Sequence, residues 1–111
     1  MIYISTGGFN KKSVIEVIEL LSKNNIRAFE LSGGIYTENL ELKLKKLSSK
    51  FKFIVHNYFP PPQNPFVLNL ASLNENIYQR SLNHIKKSIE LASFIKSQFY
   101  SFHAGFLIDP K

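Results

Sequence analysis

The stretch FKFIVHNYFPPP, residues 51–62, carries more structural information than any other part of this chain. Phe53 and Val55 fall on one side and Ile54 and His56 on the other, the two-residue period of a strand running from Phe51 to His56. The next segment has no such period. Pro60, Pro61, Pro62 and Pro65 forbid regular structure between Asn57 and Ala71, and a connection this long in a compact domain is a lid, a binding loop or a disordered segment. A histidine at the end of the preceding strand favours the binding loop.

On either side of this stretch, the same pattern of strand, loop and helix repeats. Upstream, Ile2 to Ser5 is a short strand closed by Thr6-Gly7-Gly8. Ser13 and Glu16 then have capping-box spacing ahead of a helix with Val14, Val17, Ile18 and Leu21 on one face, stopped at Asn24-Asn25. Ile26 to Leu31 is a second strand, closed by Ser32-Gly33-Gly34, and a helix opening at Thr37 carries Leu40, Leu44 and Leu47 at helical spacing. Downstream, Ser72 to Glu75 repeats the capping-box spacing and opens a long helix in which Ile77, Ile85, Ile89 and Ala92 face a sheet. Gln98 to His103 is the fourth strand, with Phe99, Ser101 and His103 sharing a face. Phe106 to Lys111 reads as unstructured.

The order βαβαβαβ calls for parallel strands joined by right-handed crossovers, in either an open doubly wound sheet or a closed barrel. A complete (β/α)₈ barrel takes about 250 residues, or roughly 31 per unit, so the 111 residues here supply about three and a half units. The expected fold is therefore α/β, one partial barrel domain over residues 1–111 that corresponds to the N-terminal half of a barrel and stops after the fourth strand. Unpaired edges on the first and fourth strands would be closed by further chain or by a second copy.

Composition narrows the chemistry. A hydrophobic content of 44% suits a globular domain. The absence of cysteine excludes disulfides, thiolate catalysis and Cys-type zinc sites, so any metal would be held by histidine and carboxylate. No stretch reaches the roughly 18 apolar residues of a membrane span, and Met1 to Phe9 lacks the form of a secretory signal, so a cytoplasmic protein without a membrane partner is expected. The net charge of +6 is compatible with a polyanionic partner, but Lys43, Lys45, Lys46, Lys50 and Lys52 cluster about a helix end and read as a solvated surface.

Ligands of both architectures sit beyond the carboxyl ends of the strands, which here bear Ser5, Thr6, Glu30, His56, Asn57, Tyr58 and His103. Two histidines on neighbouring parallel strands lie at a distance that suits one substrate or one metal ion, and imidazole both titrates near neutral pH and ligates divalent cations. Glu30 is either a base that accepts a sugar hydroxyl or a strand-end carboxylate paired with Arg27 or a lysine. His84, within the long helix, reads as a surface residue. Gly7-Gly8 and Gly33-Gly34 follow no phosphate-loop pattern and serve the turns from strand to helix.

On four stretches, IYISTGGF, IRAFELSGG, FIVHNYFPPP and YSFHAGF, the chain resembles the xylose-isomerase-like barrel superfamily. That superfamily holds sugar and sugar-phosphate isomerases and epimerases together with the family-2 apurinic endonucleases. The sugar branch is the nearer likeness, through a histidine followed shortly by tyrosine after the third strand and His-x-Gly after the fourth. The resemblance implies that His56 and His103 line a pocket for substrate and metal. Glu30 would stand near the same rim, and Tyr58 to Asn69 would form part of the pocket wall. It also implies a divalent ion, Zn, Mn or Mg, in a full-length protein, completed by carboxylates from later strands.

The leading expectation is thus a sugar or sugar-phosphate isomerase or epimerase that moves a proton next to a carbonyl. His56, His103 and Glu30 would be catalytic, Ser5, Thr6, Asn57, Tyr58 and Asn69 would bind substrate, and His56 and His103 would meet the metal. These 111 residues alone are expected to be inactive. A zinc-dependent apurinic endonuclease with nucleic acid as partner ranks well below, because the loop after the second strand is short. A non-enzymatic half barrel that self-associates through its open edges is the third reading.

Overall fold

A computed structural model describes residues 1–109. Its elements are β1 (Ile4–Ser5), α1 (Val14–Ser22), β2 (Ala28–Leu31), α2 (Leu40–Leu47), β3 (Lys52–His56), α3 (Glu75–Phe94) and β4 (Tyr100–Ser101). The four strands form one parallel sheet in the order β1-β2-β3-β4. A doubly wound sheet must reverse its strand order at a switch point. This one does not, so the winding is that of a (β/α)₈ barrel wall.

Register divides the sheet into two unlike faces. Phe29 pairs with Phe53 and Leu31 with Val55, and all four are buried in one core with Val14 and Ile18 of α1, Leu44 of α2 and Leu91 and Ala92 of α3. Phe29 and Phe51 meet edge to face at 5.4 Å, the arrangement that the ring quadrupoles prefer. The alternate residues Ser5, Glu30, Ile54, His56 and Ser101 point to the other face and are exposed or half-buried. Among the described residues no helix is long and apolar enough to cross a membrane.

Local chemistry explains where the helices begin. Ser13 caps α1, its Oγ accepting from the Glu16 amide at 3.2 Å while the Glu16 carboxylate accepts from the Ser13 amide, the reciprocal capping box expected from the sequence. The second expected box is not formed. Asn74 caps α3 instead, its Oδ1 accepting from the amides of Asn76 and Ile77 at 3.0 and 3.2 Å, and the Ser72 hydroxyl donates to Asp109 at 2.6 Å. α2 starts at Leu40, three residues after Thr37, behind an Asn39 held in the left-handed region at φ 54°.

Two further expectations are corrected on α3. Its buried stripe is Ser81, His84, Ile85, Ser88, Leu91 and Ala92, so Ile89 falls outside the stripe and is 50% exposed. His84 is not a surface residue. The proline-rich loop folds back over α3, and Tyr58, tilted, and Phe66, edge to face, pack against the imidazole with ring centroids 5.2 and 5.9 Å away. Helical periodicity carries no information about such a loop, and so could not place His84. The end strands are also shorter than expected, leaving Ile2 and Phe99 exposed beside the edges of the sheet.

Candidate functional site

The carboxyl ends of β3 and β4 bring His56 and His103 together. Their ring centroids are 5.5 Å apart with planes at 89°. The two are not in the same register: His56 pairs with Ser101 across the strands, and His103 comes two residues later. β4 ends at Ser101, so His103 lies just beyond the strand, and its contact with the His56 ring places it beside the open side of the sheet. Ser101 does more than pair. Its Oγ lies 2.7 Å from His56 Nδ1, which fixes the ring and leaves Nε2 for a ligand. No rule of spacing marks this serine, whose role depends on the strand register alone.

Glu30 lies on the same face one repeat below, in a row with Ser5 and Ile54. A carboxylate, two imidazoles and a hydroxyl therefore share one rim, half-buried at Glu30 and His56 and exposed at Ser5 and His103. Such a group can hydrogen-bond adjacent oxygens of a polyol and accept a proton.

The remaining sequence candidates are placed elsewhere. Thr6 is buried, its hydroxyl donating to the Ser32 carbonyl and accepting from the Ser32 amide, both at 2.9 Å. It ties the loops after β1 and β2 together. Tyr58 takes the left-handed conformation at φ 66°, and its hydroxyl accepts from the Phe66 amide at 2.6 Å, which closes the loop on itself. Asn57 is half-buried beside the rim, with an Oδ1 that is buried and without a partner.

Asn69 is 1% exposed, and its amide is spent on the chain. Oδ1 accepts from Ala71 at 3.0 Å and Phe106 at 2.8 Å, while Nδ2 donates to Asp109 Oδ1 at 2.7 Å. The segment after β4 is thereby pinned. The glycine of His103-Ala104-Gly105 has its reason here: at φ 140°, a Cβ on Gly105 would stand 2.5 Å from Asn69 Oδ1.

A catalytic zinc ion takes three protein ligands, and the rim offers two imidazoles. Among the described residues no group of three His, Cys, Asp or Glu side chains stands together.

The chain matches no family model, no curated protein and no solved structure. The likeness to the xylose-isomerase-like superfamily accordingly rests on the four sequence stretches alone.

Proposed function

We propose that the open face of β1 to β4 is a binding rim for a sugar or sugar phosphate, of the isomerase and epimerase type. The observation that carries the reading is the apposition of His56 and His103 at 5.5 Å, with His56 held by Ser101. The two imidazoles would hydrogen-bond neighbouring substrate oxygens, and Glu30 would be the base for a proton next to the carbonyl. The strands bring one carboxylate to this face, so binding without turnover is what residues 1–111 should show by themselves. A cytoplasmic setting belongs to the same proposal.

The test is a histidine-resolved NMR titration with a panel of aldoses, ketoses and their phosphates. Saturable shifts at both His56 and His103, weakened about tenfold in His103→Gln by the loss of one hydrogen bond to the ligand, support the reading. If no member of the panel perturbs either ring at millimolar concentration, the rim is not a sugar site.

A second reading is favoured by the sheet edges. Among the described residues β1 and β4 are both unpaired on their outer sides, and Ile2 and Phe99 beside them are 82% and 65% exposed. A groove of about 450 Å³ is lined by Met1, Ile2, Ile4 and Ile26 together with Arg27, Lys50 and Lys52. Since eight strands close a barrel, a second copy would supply four more, pairing β4 of each chain with β1 of the other. Sedimentation decides it, because a monomer of 12.8 kDa at high concentration would rule out this closure.

A further inference from the structure

A second site lies where the proline-rich loop folds against α3. Arg80, Asn83, His84 and Lys87 recur at spacings of three, four and seven and so share one side of the helix. With Asn64 and Phe66 of the loop, they line a depression of about 300 Å³. Among the described residues the lining contains two fixed positive charges and no carboxylate.

The Arg80 guanidinium is held in place from two directions. Its Cζ sits 4.2 Å from the centre of the Phe66 ring, and Nη2 donates to the Asn64 carbonyl at 3.4 Å. A guanidinium carries five donors in a rigid fork, and stacking on an aromatic face fixes the plane of the others without consuming them. The loop that carries Phe66 is itself anchored, through the fully buried Phe59 and the bond from the Phe66 amide to Tyr58. A ligand would thus meet a site that needs little ordering. His84, which also lines the pocket, has an Nε2 that is buried and without a partner among the described residues.

We propose that this pocket binds the phosphate group of a small phosphorylated ligand, with Arg80 gripping two phosphate oxygens and Lys87 supplying a second positive charge. Planar, bidentate recognition is what distinguishes arginine from lysine at such a site. The site shares no residue with the His56 and His103 rim and stands or falls without it. His84 reports on it. Burial, and then the neighbouring Lys87, hold its pKa below the ordinary value, and a bound anion would offset the lysine and raise it. The other groups around the imidazole are the Arg80 cation and the Tyr58 phenol.

The probes are inorganic phosphate and phenyl phosphate, with chloride at matched ionic strength as the control. The expected result is saturable amide and side-chain shifts at Arg80, Asn83 and Lys87 and a His84 titration displaced to higher pH by phosphate. Affinity should fall about tenfold in Arg80→Lys, which keeps the charge but loses the fork. Lys87→Gln should weaken binding as well, and Lys43→Gln should leave it unchanged. Equal shifts with chloride, an unmoved His84 titration, or equal losses in Lys43→Gln and Lys87→Gln would overturn the proposal. So would an oligonucleotide that binds where phenyl phosphate does not, since that outcome indicates a polyanion track.

Discussion

The two faces of β2 and β3 are built from alternate residues of the same short segments, and they have opposite fates. Toward the helices, Phe29, Leu31, Phe53 and Val55 are at most 4% exposed. On the other side, Glu30, Ile54 and His56 are half-buried, with no helix over them among the described residues. Apolar packing is concentrated on the first face, and the polar side chains of the strand ends stand on the second. A ligand or partner arriving at the open face meets groups that the fold does not need for itself.

The helix side is where this contrast is most severely disturbed. Phe29→Ala should cost about 3–5 kcal/mol in urea unfolding, because the ring is fully buried and the cavity would not collapse. Asn69→Leu should come next, at about 1–3 kcal/mol, since it leaves the amides of Ala71 and Phe106 without their shared acceptor. Hydrogen exchange should show the segment from Gly105 to Asp109 released. A smaller loss of about 1 kcal/mol is expected for Ser13→Ala, which removes one half of the α1 capping box.

The pH dependence of stability probes the contact of α3 with the proline-rich loop on the helix side. His84 has a depressed pKa in the folded state, so the unfolded chain binds more protons below the ordinary histidine value. Its contribution is complete above about pH 6.5 and is lost as the pH falls from there through the folded value. Thermal melts between pH 7.5 and 5 should lose this acid sensitivity in His84→Phe, which retains the packing with Tyr58 and Phe66. A variant with unchanged acid sensitivity would place the titrating group elsewhere. Smallest of all, His103→Gln and Ser101→Ala should move stability by no more than about 0.5 kcal/mol, as surface changes do. If either matched Asn69→Leu in cost, the open face would be part of the structural framework and the division between the faces would fail.

The legibility of the sequence varies in step with the range of the interactions. The Ser13 and Glu16 pairing is confined to one helical turn and is readable, as are the alternation of β3 and the repeat of strand and helix. The spacing at Ser72 misleads because Asn74, two residues on, offers the same kind of oxygen closer to the helix. Ser72 instead meets Asp109, at a separation of 37 residues. The helical position of His84 misleads because its neighbours are rings from a loop whose path no periodic pattern encodes. The open face itself is legible in the residues at the ends of β2 and β3, while Ser101 acquires its bond to His56 only through the register of β4.

By itself, then, the sequence determined the parallel α/β class, the number and order of the elements and the polar character of the strand ends, since each depends on residues a few positions apart. Tertiary structure alone decided the register that pairs His56 with Ser101 and the 5.5 Å meeting of His56 with His103. It also decided that Asn69 would be spent on holding the chain and that Arg80 would be stacked on Phe66. Those facts depend on how loops bring distant segments into contact, and the conformational entropy of a long proline-rich loop is offset only by the packing it finds at the end of its path.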